Sequence, residues 1–474
     1  MIKADLCVIG TNPAGLAIAM GAAALKASVV LVDNSESGAH GVATPEAIAA
    51  AFAAAGKAAD AVRRAGRFGL RAREPIVEFD RLVASIKARA TQLAAANAPA
   101  RYTAMGVQLM RATARFVDKG AIEAAGQTVR AAIYVIATNA KPRLPDIPGL
   151  ASTPFVTPAS VLDLPRLPRR LAVIGAGDGM LQLAQAFRRL CSLVDVFGAT
   201  PPLADWDEEL AGIALRALRQ DGVVLHPVTE VRRVELMPSA VRLIAADAMG
   251  DLPCDVTHLL VSTAGMADVG RLNLPAAGIV ATPSGIAVDA VLRCDGNSRV
   301  YAVGASAAGA AGEASAHSQA ALVLRHALLR TRGPAMPPAP IRAVFTDPEL
   351  AWIGLSEAQS RAAHGAGINI LRLPFAEADR AIADDHGVGL IKVITASDGR
   401  ILGCGIVGPH AAELIAPWAL AASRGLTVAD MADLPLPVPS LSELSGRVAR
   451  LWYMPKLARA GASSLLRLMR WRGW

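Results

Sequence analysis

Two stretches of this chain repeat one order of events. In residues 5–33, an apolar run breaks at Gly10-Thr11-Asn12-Pro13-Ala14-Gly15, a helix of small residues follows, and a second apolar run ends on Asp33. In residues 171–197, an apolar run breaks at Gly175-Ala176-Gly177 and the order repeats. Apolar run, glycine turn, helix and second apolar run are the parts of a dinucleotide-binding βαβ unit. The first glycine permits the tight turn and the last lets helix and strand pack closely. The free N–H groups and dipole of the helix N-terminus favour a pyrophosphate. Two such units constrain the fold far more than either would alone.

Each unit departs from the full G-x-G-x-x-G pattern, and at a different place. The first keeps Gly10 and Gly15 but carries Asn12 in the middle; the second keeps Gly175 and Gly177 but carries Met180 at the end. Asp33 stands where an acid holds a ribose hydroxyl, whereas the second unit ends at Phe197-Gly198 with no acid. The candidate dinucleotide contacts are therefore Gly10, Asn12, Pro13, Ala14, Gly15 and Asp33 in the first unit, and Gly175 and Gly177 in the second. Asn tolerates a left-handed backbone better than other non-glycine residues, so the turn survives. The Asn12 side chain either crowds a pyrophosphate or donates a hydrogen bond to it, and the sequence leaves both open.

Between and after these units the periodicity predicts helices over residues 45–64, 79–94, 317–330, 356–364 and 410–424. It predicts strands over 106–110, 115–117, 122–124, 131–138, 223–231, 241–245, 259–265, 300–304, 343–345, 390–395 and 401–407. A proline-rich linker at 333–340 separates a third region. Hydrophobic content of 53% suffices for several cores. A net charge of +8 would suit an acidic partner, but no nucleic-acid motif accompanies it, so nucleic acid is set aside. The five cysteines are scattered and the eight histidines lack ligand spacing, so neither a disulfide framework nor a metal is expected. The chain enters an apolar run almost at once, so no secretory leader is expected. No uninterrupted apolar stretch reaches about 18 residues, so no spanning helix is expected.

These pieces resemble the pyridine nucleotide–disulphide oxidoreductases, the flavoproteins that include dihydrolipoamide dehydrogenase and mercuric reductase. The resemblance covers about residues 4 to 450. Its most specific stretch is Val344-Phe345-Thr346-Asp347-Pro348-Glu349, followed by Ile353-Gly354-Leu355-Ser356-Glu357. Asp379-Arg380-Ala381, Ile401-Leu402-Gly403 and Val407-Gly408 also fit the dimerisation domain. The resemblance implies an α/β fold with two Rossmann-like dinucleotide-binding domains, of FAD and NAD(P) type, and an α+β C-terminal dimerisation domain. The implied division is 1–150 and 271–335 for the FAD domain, 151–270 for the NAD(P)-like domain, 336–455 for dimerisation and 456–474 for a tail. It also implies FAD, NAD or NADP as cofactors and a homodimer.

The family's chemistry is poorly represented. Its C-x-x-x-x-C pair falls on Gly38 and Ala43, and its lysine on Ala47; no cysteine lies between Cys7 and Cys191. Thiol–disulfide exchange needs a thiolate and a resolving thiol, so that mechanism is excluded. The two histidine positions of the C-terminal motif are apolar in residues 436–443, which puts Val438 where the partner's general base would stand and leaves Glu443 as a helix-start carboxylate. The flavin-binding Gly-Asp becomes Gly304-Ala305, and the Ala-Thr-Gly turn becomes Ala137-Thr138-Asn139. Thr138, Gly304 and Ala305 therefore join the candidate FAD contacts. In the second unit Gln182 replaces a glutamate and Gly265-Met266 a Gly-Arg pair. His40 and His317 are the other polar groups near the implied flavin.

Residues 446–474 hold seven basic residues and no acid, with Trp452, Tyr453, Trp471 and Trp474 among them. Leu465, Leu466, Leu468 and Met469 share one side of a helical wheel, opposite Arg467 and Arg470. Such a helix suits an anionic lipid surface or packs on its own dimer. The expected location is the cytoplasm, with peripheral contact at the inner face of the membrane if the tail engages lipid. Two functions stay open: an FAD-dependent NAD(P)H oxidoreductase without disulfide chemistry, passing electrons to an unknown acceptor, or a catalytically degenerate member acting as a binding, regulatory or scaffold protein.

Overall fold

The structure is a computed structural model that describes residues 1–34, 44–95, 99–262, 264–282, 284–309, 316–331 and 341–454. The loop carrying Gly38, His40 and Ala43, and the basic tail from residue 455, lie outside the described residues.

The first βαβ unit sits at the middle of a seven-stranded sheet. Strand Ile2–Ile9 pairs in parallel with Val29–Asp33 on one side and with Gln127–Ile136 on the other. The end of Gln127–Ile136 takes Val300–Ala302 as a further parallel neighbour, bringing the late part of the chain back beside the first glycine turn. Every residue of Val29–Asp33 is buried, which is why the segment reads as an unbroken apolar run closed by one acid.

The second unit forms a four-stranded parallel sheet in the spatial order Val223–Pro227, Leu193–Gly198, Arg170–Ile174, His258–Val261. The single strand expected over 223–231 is two strands of different sheets. After Pro227 the chain passes through Val228 at φ +53° and re-emerges as Glu230–Leu236 in a three-stranded antiparallel sheet. The third region is a five-stranded antiparallel sheet, in which Glu349–Gly354 and Ile368–Pro374 join the three strands the sequence suggested. The helix expected over 410–424 is broken into Ala411–Leu414 and Ala416–Ser423. Pro417 lies in the first turn of the second piece, where its missing N–H costs nothing. The helix expected over 317–330 is α-helical over Ala316–Val323 and then widens into a π turn over Leu324–Leu328.

Three contacts tie these regions together. Helix Pro45–Arg64 packs on helix Asp178–Arg189, with Phe52 and Phe187 5.1 Å apart between ring centroids. Arg189, only 5% exposed, reaches Asp221 at 2.8 Å, Asp347 at 2.6 Å and Asp60 at 3.6 Å, one carboxylate from each region. Lys392, 3% exposed, reaches Asp207, Glu209 and Glu357 at 2.8, 3.0 and 2.8 Å. It thereby joins the helix Glu208–Gln220 and its cap to the third sheet beneath a groove of about 850 Å³.

Candidate functional site

The first glycine turn is shaped by Ala137, at the end of strand Gln127–Ile136. Gly10 has φ +104°, and a Cβ there would lie 2.3 Å from the Ala137 carbonyl oxygen. A Cβ on Gly15 would lie 2.3 Å from the Ala137 Cβ and 3.2 Å from Val8. Both glycines are therefore required by close packing.

Asn12 takes neither course left open by the sequence. Its side chain is buried and turned into the protein. Oδ1 accepts the Gly15 N–H at 2.9 Å and so caps helix Pro13–Ala24. Nδ2 donates to the Val303 carbonyl at 2.9 Å and the Thr138 carbonyl at 3.2 Å. One amide thus fastens the glycine turn to two strand ends that are distant in sequence. Pro13 brings no N–H and Asn12 occupies that of Gly15, so Ala14 supplies the first-turn N–H that can face a ligand. The helix carries no acid in its first turn, so its dipole remains favourable to an anion.

The structure brings Thr138, Gly304 and Ala305 to the same place. Gly304 has φ +60°, and a Cβ on it would lie 2.6 Å from Asn12 Nδ2. Thr138 is fully buried, its hydroxyl 2.9 Å from that of Ser306. It is thus an internal partner, whereas Ala305 is exposed. Gln319 Oε1 accepts the Gly304 N–H at 2.6 Å. Sequence reasoning missed Ser306 and Gln319; the signal available was their polarity within a small-residue apolar stretch. Asp33 is buried at the end of its strand, in register with Arg111. His317 is exposed on helix Ala316–Val323.

The second turn has another character. A Cβ on Gly175 would lie 2.5 Å from Ser262 Cβ, whereas Gly177 and Gly179 face open space. Gly177 caps helix Asp178–Arg189 without a side-chain bond, and Asp178 begins the helix. Its carboxylate is 3.9 Å from Arg342 of the third region. Arg342 also stacks 4.4 Å over Trp206 and donates to the Asp205 carbonyl at 3.4 Å. At the strand end, a Cβ on Gly198 would lie 2.8 Å from Ala176 Cβ and 3.0 Å from the Thr200 carbonyl oxygen. Met180 is buried in the core that also holds Phe52 and Val173.

The described thiols do not form a redox pair. Cys7, Cys254, Cys294 and Cys404 are buried, and burial pushes their thiols upward, that of Cys294 to about 12. Thiols so shifted stay protonated and inert near neutrality. Cys191 is exposed and accepts a hydrogen bond from Arg63 at 3.0 Å. Val438 is 70% exposed. It lines a cavity of about 450 Å³ with Asp433, Glu443 and Arg450, and Glu443 opens helix Glu443–Arg450. Among the described residues, no group of three or more His, Cys, Asp or Glu is arranged to hold a metal, and no helix is long and apolar enough to cross a membrane.

Residues 4–322 match the family described as pyridine nucleotide-disulphide oxidoreductase, and residues 341–448 match that family's dimerisation domain. A mercuric reductase of Streptomyces lividans is 28% identical over 447 residues, covering 93% of this chain and 94% of the relative. A dihydrolipoyl dehydrogenase of Thermus scotoductus is 30% identical over 459 residues, covering 93% and 95%. Among solved structures, LpdA of Mycobacterium tuberculosis superposes with a TM-score of 0.84 at 24% identity, covering 95% of this chain and 99% of that one.

Proposed function

The chain belongs to the pyridine nucleotide–disulphide oxidoreductase family, and from that premise we propose that it is an FAD-dependent oxidoreductase that works without a thiol pair. Flavin-dependent oxidation with a nicotinamide dinucleotide is the activity that membership supports, and the dimerisation domain supports a homodimer. The observation that carries the reading is the first glycine turn. Gly10 and Gly15 are held by Ala137, the helix behind them starts without an acid, and the Asn12 side chain is turned out of the way.

In this reading Gly10, Pro13, Ala14 and Gly15 hold the pyrophosphate of FAD, with the Ala14 N–H and the helix dipole supplying the attraction. Asp33 takes a ribose hydroxyl, and Ala305 lies along the flavin without the hydrogen bond an aspartate would give. Asn12, Thr138 and Gly304 hold the walls in register. When bound, FAD supplies hydride and electron transfer; the chain's own residues bind it, orient it and exclude water. No base stands at Val438, and no cysteine lies between Cys7 and Cys191, so the acceptor is one that needs neither.

The test is the absorption spectrum of the purified protein. A band near ~450 nm supports the reading, and a colourless protein that does not take up added FAD sinks it. A second reading, a binding or regulatory member without chemistry, is favoured by the apolar, exposed Val438 and by Ala305. It predicts that colourless outcome. The basic, aromatic tail supports contact with anionic lipid in either case.

A further inference from the structure

The two glycine turns differ in charge at equivalent positions. Counting from Gly10 and Gly175, the residue that begins the helix is Pro13 in the first unit and Asp178 in the second. We infer that Asp178 holds down the affinity of the second unit for nicotinamide dinucleotides, so that this chain takes them weakly. The inference rests on reading that unit as the family's nicotinamide site, and it concerns what this chain's own residues do to that site.

Shape does not close the helix N-terminus. Gly177 and Gly179 both face open space, and Gly177 leaves the cap without a side-chain acceptor. Charge is the obstacle. The positive end of the helix dipole, which would attract a pyrophosphate, has the Asp178 carboxylate in its first turn. An incoming pyrophosphate meets a like charge at the point where the unit should attract it. Arg342 offers partial compensation from 3.9 Å, but its guanidinium is engaged over Trp206 and with the Asp205 carbonyl.

The ribose end does not make up the loss. Gly198 stands where an acid would read the ribose. Ala176 and the Thr200 carbonyl already take the space a side chain there would need. The missing acid is thus built into the way the turn lies on the strand end. Met180 fills the last glycine position and is buried as core. The residues present do not fit a tightly held nicotinamide dinucleotide, in contrast with the first unit, whose helix starts without an acid and whose strand ends on Asp33.

The test is calorimetric titration of the purified full-length protein with NADH and with NADPH, comparing wild type, Asp178→Asn and Asp178→Ser. Both variants keep a residue compatible with a helix start, and thermal melts of each verify folding. Removing one like charge beside the pyrophosphate should tighten binding on the order of tenfold at low ionic strength. The gain should shrink near ~1 M salt, where the screening length falls to about 3 Å. A loss of packing alone would not produce that salt dependence. Wild-type binding in the low micromolar range, equal affinity in wild type and both variants, or no binding by any of the three would overturn the role given to Asp178. The visible spectrum of the same samples reports separately on the flavin: a yellow protein keeps the oxidoreductase reading whatever Asp178 does, and a colourless one removes it.

Discussion

Asn12 and Gly304 are matched to each other: the Nδ2 of the one lies 2.6 Å from the point where a Cβ on the other would stand. The amide reaches the Val303 carbonyl only because residue 304 has no side chain. Gly304→Ala should therefore destabilise the protein by about 2 kcal/mol, combining the steric conflict with the cost of φ +60°. Asn12→Ala should cost about 2–3 kcal/mol by taking the donor from the buried Val303 carbonyl and the acceptor from the Gly15 N–H, while the Thr138 carbonyl keeps the Ser306 hydroxyl. In a double-mutant cycle read by denaturant unfolding, the two losses should add to less than their sum, because each removes the same contact.

Gly10→Ala places a methyl group against the Ala137 carbonyl at a backbone angle that side chains avoid. The expected product is a protein that purifies without flavin or fails to fold. Visible absorbance together with a thermal melt distinguishes the two outcomes.

Lys392 holds three carboxylates, and removing it leaves the buried Asp207 without its cation while Arg372 still bridges Glu209 and Glu357. Lys392→Met should cost about 3 kcal/mol at neutral pH, as loss of one member of a buried ion pair does. Hydrogen bonding to Lys392, with further help from Arg361 and Arg372, holds the Glu357 carboxyl down at about 2. Its folded pKa lies below the unfolded value of 4.5, so its stabilising contribution is complete above 4.5 and fades as pH falls toward 2. Acid unfolding followed by circular dichroism should show a higher midpoint in Lys392→Met than in wild type.

One thiol of the five should react quickly with a maleimide in the native protein. That thiol is Cys191, exposed beside Arg63, while the other four are buried and should label only in denaturant. Mass spectrometry after a short pulse gives the stoichiometry, and more than one fast thiol would contradict the burial described.

Removal of residues 456–474 should abolish co-flotation with vesicles containing anionic lipid and leave the visible spectrum unchanged. Full-length protein should float with anionic vesicles and remain behind with neutral ones.

The inner parallel strands were legible because they are buried on both faces and read as unbroken apolar runs beside glycine turns, as Val29–Asp33 and Arg170–Ile174 do. Glu349–Gly354 and Ile368–Pro374 were harder to see. The first is a short buried run, Leu350 to Ile353, closed in by an acid and a glycine, and the second is buried on alternate residues only. The glycines of the first site could be placed from spacing alone. The use made of Asn12 could not, since its partners Thr138 and Val303 lie 126 and 291 residues further along the chain. Ser306 and Gln319 were hidden for the same reason. The second glycine turn was half legible: the absent acid at Gly198 is in the sequence, but its packing against Ala176 depends on the fold.

Arg189 has a consequence for how the protein comes apart. A single guanidinium takes a carboxylate from Asp60, Asp221 and Asp347, and each of these belongs to a different region. No region can open without taking a carboxylate from a guanidinium that is only 5% exposed, and its departure leaves that buried charge with fewer partners. The chain should therefore melt as one cooperative body, with calorimetric and van't Hoff enthalpies in agreement, and show no separate transition for the dimerisation sheet.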